Sequence, residues 1–205
     1  MEQKTARALA RKDLLKVKKA LDKAGVRFFL MFGTLLGAVR DKDLILYDKD
    51  IDLGIFYEDS WKLEKAEKIL EKHGILMEGK RRRKPDTPCE KFVLFGKTVW
   101  GIEFMTMYLI EDTYWHIDSS DWRGARLVPI KREHLDNLEE IDFLGTKFLI
   151  PSSPEKVLES WYGSNWRIPS GETRTTAIMP RELWKDEEGI REYEAIKIRK
   201  ENGWH

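Results

Sequence analysis

Between Asp48 and Phe56 the chain reads DKDIDLGIF, and this segment constrains the fold more than any other. In a β-strand, residues two apart share a face. Ile51, Leu53 and Ile55 then form one apolar face that must be covered, while Asp50 and Asp52 stand together on the other, with Asp48 just ahead of them. At about 3.3 Å per residue, the two strand carboxylates lie roughly 6–7 Å apart. Like charges that close are tolerable when solvated, or when a divalent cation lies between them.

The flanking sequence supplies a sheet and its cover. Leu14, Val17, Leu21 and Ala24 recur at helical spacing and Gly25 follows as a stop. VRFFLMFG reads as a buried strand ending at Gly33, TLLGAVRD as a short helix, and DIDLGIFY as the acidic strand. Asp59 or Ser60 is placed to cap a helix carrying Leu63, Ala66 and Leu70 and stopping at Gly74. GKRRRKPDTP is a polar loop. KFVLF and TVWGIEFMTMYLI are strand-like, with a tight turn expected at Gly96-Lys97. IDSSDWRGAR reads as a loop, and IDFLGTKFLI as a hairpin around Gly145. SSPEKVLESWYG carries helix signals, with Ser153 as cap, Pro154 in the first turn and Gly163 past the end. This order predicts an α/β (α+β) domain, a mixed sheet flanked by helices.

Composition excludes several classes. With 37 basic and 36 acidic residues the formal net charge is +1, so no global field draws the chain to nucleic acid or an anionic membrane. The one cysteine, Cys89, excludes an internal disulfide framework and reads as a packing residue or a loop thiol. The first 25 residues lack the apolar core of a signal peptide. No apolar run approaches the roughly 20 residues of a membrane span. A cytoplasmic protein is the expectation.

Paired carboxylates are hard oxygen ligands suited to Mg²⁺ or Mn²⁺, which commonly retain waters and bind substrate phosphates. Upstream, Gly33-Thr34 closes a strand and opens a helix, where backbone N–H groups and a hydroxyl suit a donor phosphate. A phosphate turn followed about sixteen residues later by D-x-D is more specific than either alone. Glu103 interrupts the apolar run VWGIEFMTM, where a carboxylate is costly unless paired or metal-bound. It is the candidate third acid for a site performing in-line phosphoryl or nucleotidyl transfer. P-loop, nucleophile-elbow and H-E-x-x-H patterns are absent.

The stretch FGTLLGAVRDKDLILYDKDIDLGIF resembles the signature of the LicD family within the polymerase-beta-like nucleotidyltransferase superfamily. That pattern runs G-T/S-L-L-G-x-x-R, a spacer, then W-D-D-D-I-D. Tyr47 stands for the Trp and Lys49 for one Asp, while Asp48, Asp50 and Asp52 remain. GIEFMTMY is similar to the strand carrying the family's third acid, with Glu103 for the usual Asp. FLIPSSPEKVLESWYGSNWRIP is similar to its later Y-G-x-x-W segment. The resemblance, which runs from about Phe28 to Pro169, implies a nucleotidyltransferase fold, here assigned to residues 1–170, and the charged sequence of 171–205 reads as a helical extension of the same domain. The resemblance implies metal-binding acids on two adjacent strands. It also implies transfer of a phosphorylated group, such as phosphocholine or a phospho-alditol, from a CDP-activated donor to a hydroxyl acceptor such as a sugar or glycan. Two alternatives stand beside it: transfer of NMP from ATP or CTP to a small molecule, protein or RNA end, and a catalytically silent nucleotide-binding module.

On this reading Asp50, Asp52 and Glu103 are catalytic and bind Mg²⁺ or Mn²⁺, with Glu103 also helping to deprotonate the acceptor. Gly33, Thr34 and Arg40 hold donor phosphate, with Arg40 alternatively paired to Asp41 or Asp43. Asp48 is a supporting acid, and Tyr162 and Trp166 frame the donor base or a choline-like head. Lys80 to Lys84 form a basic run suited to a polyanion or to a solvated loop, and His116 is a weaker candidate base.

Overall fold

Helix α1 covers Gln3–Ala24, and its buried side chains Ala10, Leu14, Val17, Ala20, Leu21 and Ala24 trace one apolar stripe, with the buried Asp13 on the same face. It ends where Gly25 takes a left-handed conformation (φ 78°) and its N–H reaches the carbonyls of Leu21 and Asp22. The protein is described by a computed structural model over residues 2–81, 90–118 and 126–169. The expected extension at 171–205, Cys89 and most of the basic run lie outside the described residues.

After α1 come β1 (Phe28–Leu30), α2 (Phe32–Leu36), a π-helical turn (Gly37–Asp41) and β2 (Asp50–Phe56). A 3₁₀ turn (Tyr57–Lys62) leads into α3 (Leu63–Glu71), followed by β3 (Ile75–Arg81), β4 (Glu90–Gly96), β5 (Gly101–Ile110), β6 (Thr113–Asp118) and β7 (Arg126–Lys131). Helix α4 (Arg132–Asp136), the hairpin β8 (Glu139–Phe143) and β9 (Thr146–Ile150), and α5 (Pro154–Tyr162) complete the described fold. The architecture is the expected mixed sheet with helices.

The seven-stranded sheet runs β1-β2-β5-β4-β3, with β6 and β7 added beyond the second half of β5. Strands β2 and β5 are parallel neighbours, and the other pairs are antiparallel. The long β5 pairs with β4 through Ile102–Met105 and with β6 through Met107–Ile110. Ile51, Leu53, Ile55, Ile102, Phe104 and Leu94 are all buried in the core, as the period of β2 predicts.

Several local expectations are corrected. The chain at Gly96-Lys97 is no two-residue hairpin: β4 and β5 are joined by residues 97–100. This connection is fastened from both sides, by Lys97 N–H to the Gly74 carbonyl (3.1 Å) and by Val99 N–H to Oδ2 of the buried Asp13 (3.1 Å). Neither Asp59 nor Ser60 caps α3, because the intervening 3₁₀ turn uses them locally. Asp59 takes Lys62 at 2.5 Å and Ser60 Oγ donates to the Tyr57 carbonyl. Ser153 does stand at the N-cap position of α5, but in a left-handed conformation (φ 53°) from which its side chain makes no cap hydrogen bond. Gly79–Arg81, expected in a loop, extend β3. The hairpin around Gly145 forms, with Leu144 (φ 53°) and Gly145 (φ 81°) both left-handed, as a type I′ turn requires. It docks on the sheet through Phe148, edge-on to Phe28 at 6.3 Å.

Candidate functional site

The site begins where β1 gives way to α2. Met31 N–H donates to the Asp52 carbonyl at 3.1 Å, and Thr34 Oγ1 accepts the Asp52 N–H at 2.9 Å. Both main-chain groups of Asp52 are therefore tied to the segment 31–34, which fixes where its carboxylate starts. The hydroxyl oxygen of Thr34, expected to meet donor phosphate, is bonded to this backbone, and the residue is only 2% exposed. Between these ties Phe32 adopts φ 39°, a conformation costly for a bulky residue. Its ring packs on Trp161 of α5 at 4.6 Å.

Gly33 lies under two carboxylates. A Cβ there would stand 2.5 Å from Asp48 Oδ2 and 3.9 Å from Asp52 Oδ2. Residue 33 is thus a glycine because acidic side chains approach its α-carbon, a role the turn-and-phosphate reading did not contain. Asp48 also accepts Lys49 N–H (3.0 Å) through Oδ1. Burial, then the neighbouring Asp50 carboxyl, push the Asp48 carboxyl up to about 7.

Asp50 opens β2 and is exposed, whereas Asp52 is 8% exposed. Their strand neighbours in β5 are Gly101 and Glu103, so Asp52 and Glu103 are direct register partners on one face of the sheet. The acids expected on two adjacent strands are brought together in that sense.

The opposite wall comes from α5 and the turn after it. Burial, then the charges of Asp52, Asp48 and Asp50, raise the Tyr162 phenol well above its usual value, while Arg40 opposes them. A phenol kept neutral retains its O–H as a hydrogen-bond donor. Arg40 forks onto Asp41 at 2.7 and 2.8 Å and donates to the Trp166 carbonyl at 3.4 Å. Its pairing with Asp41 is the second of the two readings above, while Asp43 is held by Arg7 and Arg11. Trp166 is buried (5% exposed), with Arg167 stacked on its ring at 4.2 Å. Its carbonyl holds Arg40 from the side of the turn after α5. His116 is buried and bonded to the Thr106 carbonyl at 3.3 Å. Its register partner Met107 is four residues beyond Glu103, roughly 13 Å along β5, so it stands away from the acids.

Among the described residues no three His, Cys, Asp or Glu side chains converge tightly enough to cage an ion unaided. The donor set still fits a hard divalent cation, which takes few protein carboxylates and completes its shell with water and phosphate oxygens. No helix among the described residues is long and apolar enough to cross a membrane.

A mixed sheet with acids on two central parallel strands, backed by a turn that clamps the first of them, defines a nucleotidyltransferase-type fold. Crystalline ANT(2'')-Ia, solved with adenylyl-2''-tobramycin, superposes with a TM-score of 0.50 over 94% of this chain and 98% of that one at 14% identity, a likeness of fold. The model of the LicD/FKTN/FKRP nucleotidyltransferase domain matches residues 25–153, and the chain belongs to this family. It is 30% identical over 161 residues to the human ribitol-5-phosphate transferase FKTN, covering 77% of this chain and 33% of that protein. With the human ribitol 5-phosphate transferase FKRP it shares 31% over 139 residues, covering 65% of this chain and 24% of that protein. The chain therefore spans a third or less of the length of these relatives.

Proposed function

We propose that the protein is a metal-dependent transferase that moves a phosphorylated group from a CDP-activated donor to a hydroxyl acceptor such as a sugar or glycan. The observation that carries this reading is the register pairing of Asp52 with Glu103 on parallel strands, with Asp50 on the same face of β2 and both Asp48 and Asp52 close to Gly33. Family membership and the ribitol-phosphate transferase relatives support a phospho-alditol as the transferred group.

Asp50, Asp52 and Glu103 would hold Mg²⁺ or Mn²⁺, with Asp48 alongside, and the ion would neutralise charge on the donor phosphates. The acceptor oxygen forms a bond to the distal phosphorus, the bond from that phosphorus to the bridging oxygen breaks, and CMP leaves. Glu103 takes the hydroxyl proton. Tyr162, neutral at working pH, donates to a phosphate oxygen, and Gly33 leaves room for the carboxylates to approach.

The test is incubation with Mg²⁺ and either CDP-ribitol, CDP-choline, ATP or CTP. Release of CMP from a CDP-linked donor is the expected result. Pyrophosphate release from ATP or CTP instead assigns NMP transfer, and metal binding without turnover of any donor assigns a binding module. Asp52→Asn is expected to remain folded and to lose both Mn²⁺ binding and transfer. Full activity in that variant rejects the site.

A further inference from the structure

The face of the sheet that bears the acids continues across two more strands. Asp50 is the register partner of Gly101. Leu94 pairs with Ile102, so the next step of the same register sets Phe95 opposite Gly101. Phe95 in turn pairs with Leu76. Directly paired residues point to the same side of a sheet, so Asp50, Gly101, Phe95 and Leu76 form one row. Asp52 and Glu103 begin the next row. The intervening residues Leu94 and Ile102 are fully buried on the opposite face.

This row has two unusual properties. Phe95 and Leu76 are each 43% exposed although they lie within strands of a sheet. At Gly101 a Cβ would meet nothing within 4 Å, so open space separates Phe95 from the first acid. At about 4.8 Å per strand, Phe95 lies on the order of 10 Å from Asp50. The platform is held firmly, since the connection following it is fastened to Gly74 and Asp13.

We infer that Phe95, with Leu76 beside it and the gap at Gly101 in front, is a stacking platform for the nucleobase of the donor. The inference rests on the proposed function and extends it. A phosphate at the acids, one ribose over Gly101 and a base on Phe95 follow the row in order. The side chains of Leu76 and Phe95 offer no hydrogen bond, and Gly101 has no side chain. This apolar surface suits the π-face of a base, whose stacking needs no hydrogen bond from the platform. An aromatic face also accepts any base, so Phe95 contributes affinity without selecting among nucleotides.

The test compares binding of CDP and of inorganic pyrophosphate, each with Mn²⁺, by calorimetry. Phe95→Ala is expected to weaken CDP about tenfold or more while leaving pyrophosphate within about twofold, and Phe95→Trp to retain CDP. Gly101→Val, placed where there is room for a side chain, is expected to weaken CDP alone by closing the gap. Trp61→Ala, which removes an exposed aromatic (73%) on the 3₁₀ turn, leaves both unchanged. Unaltered CDP binding in Phe95→Ala overturns the platform, as does equal weakening of CDP and pyrophosphate. Wild-type protein that binds pyrophosphate as tightly as CDP overturns the platform and leaves the proposed function standing. Wild-type protein that binds neither overturns both.

Discussion

Gly33→Ala separates the stability of this site from its chemistry. The added methyl would lie 2.5 Å from Asp48 Oδ2, and ordinary contact begins near 3.4 Å, so the carboxylate must retreat by about 1 Å. That oxygen ends a short, rotatable side chain. Turning it some 30° from its rotamer costs about 0.5–1.5 kcal/mol. Alanine returns up to about 1 kcal/mol over glycine within a helix, less in the first turn of so short a one. The net change is then within about 1 kcal/mol, a shift of about 2–4 °C in Tm for a chain of this size. The chemistry has no such offset. A displacement of about 1 Å at reacting groups can cost a hundredfold, and Asp48 approaches the same glycine as the strand acid Asp52. Urea melts read the first quantity, while Mn²⁺ titration and CMP release read the second. Near wild-type stability with at least tenfold weaker Mn²⁺ binding or turnover is the expected pattern. Unchanged binding and turnover in a folded variant refutes the apposition of Gly33 and Asp48, and a loss of stability well beyond about 2 kcal/mol refutes the claim that Asp48 can yield.

Thr34→Val keeps the shape of the residue but removes the acceptor of the buried Asp52 N–H, and is expected to cost about 1–3 kcal/mol in urea, with Thr34→Ser closer to wild type; equal stability of the two variants contradicts the assigned bond. At Gly54 a Cβ would collide with Phe29 Cζ and Cε2 and lie 2.7 Å from Met31 Sδ, so Gly54→Ala is expected to destabilise by about 3 kcal/mol through overpacking, visible as a lower Tm, and a neutral result would show the β1–β2 packing to be looser than described. The Tyr114 hydroxyl donates to Asp136 at 3.0 Å, and burial followed by that bond pushes its ionisation up to about 12. Because a tyrosine in the unfolded chain ionises near 10, the folded state keeps this proton longer, and stability is lost as pH rises from about 10 to about 12. Phenolate absorbance should therefore show less late-titrating amplitude in Tyr114→Phe, and an amplitude equal to wild type refutes the shift.

Much of the site is legible in the chain because strand geometry is local. The two-residue period of DIDLGIF places Asp50 and Asp52 on one face, and Glu103 is conspicuous as a carboxylate within an apolar run; both inferences need only neighbouring residues. The apolar rows of α1 and β2 follow for the same reason. Capping was less legible. Ser60 and Ser153 are residues that cap helices, but a 3₁₀ turn and a left-handed backbone turn their hydroxyls elsewhere, and both depend on how the adjoining elements pack. Arg40 offered two partners within three residues, and the choice of Asp41 was made when Arg7 and Arg11 of α1 took Asp43.

The chain by itself thus determined which acids exist, which of them share a strand face, and that an apolar sheet must cover their reverse side. Only the tertiary structure decided what surrounds them. The parallel pairing of β2 with β5 set Glu103 beside Asp52 rather than elsewhere along the sheet. Packing of α5 carried Tyr162 to acids more than a hundred residues earlier in the chain. Folding of the β1–α2 turn onto β2 bonded Thr34 to the backbone of Asp52 and brought Gly33 under Asp48. The reason is physical: residue spacing dictates direction within one element, but contacts between elements depend on how buried surfaces fit and which polar groups must be satisfied when they close.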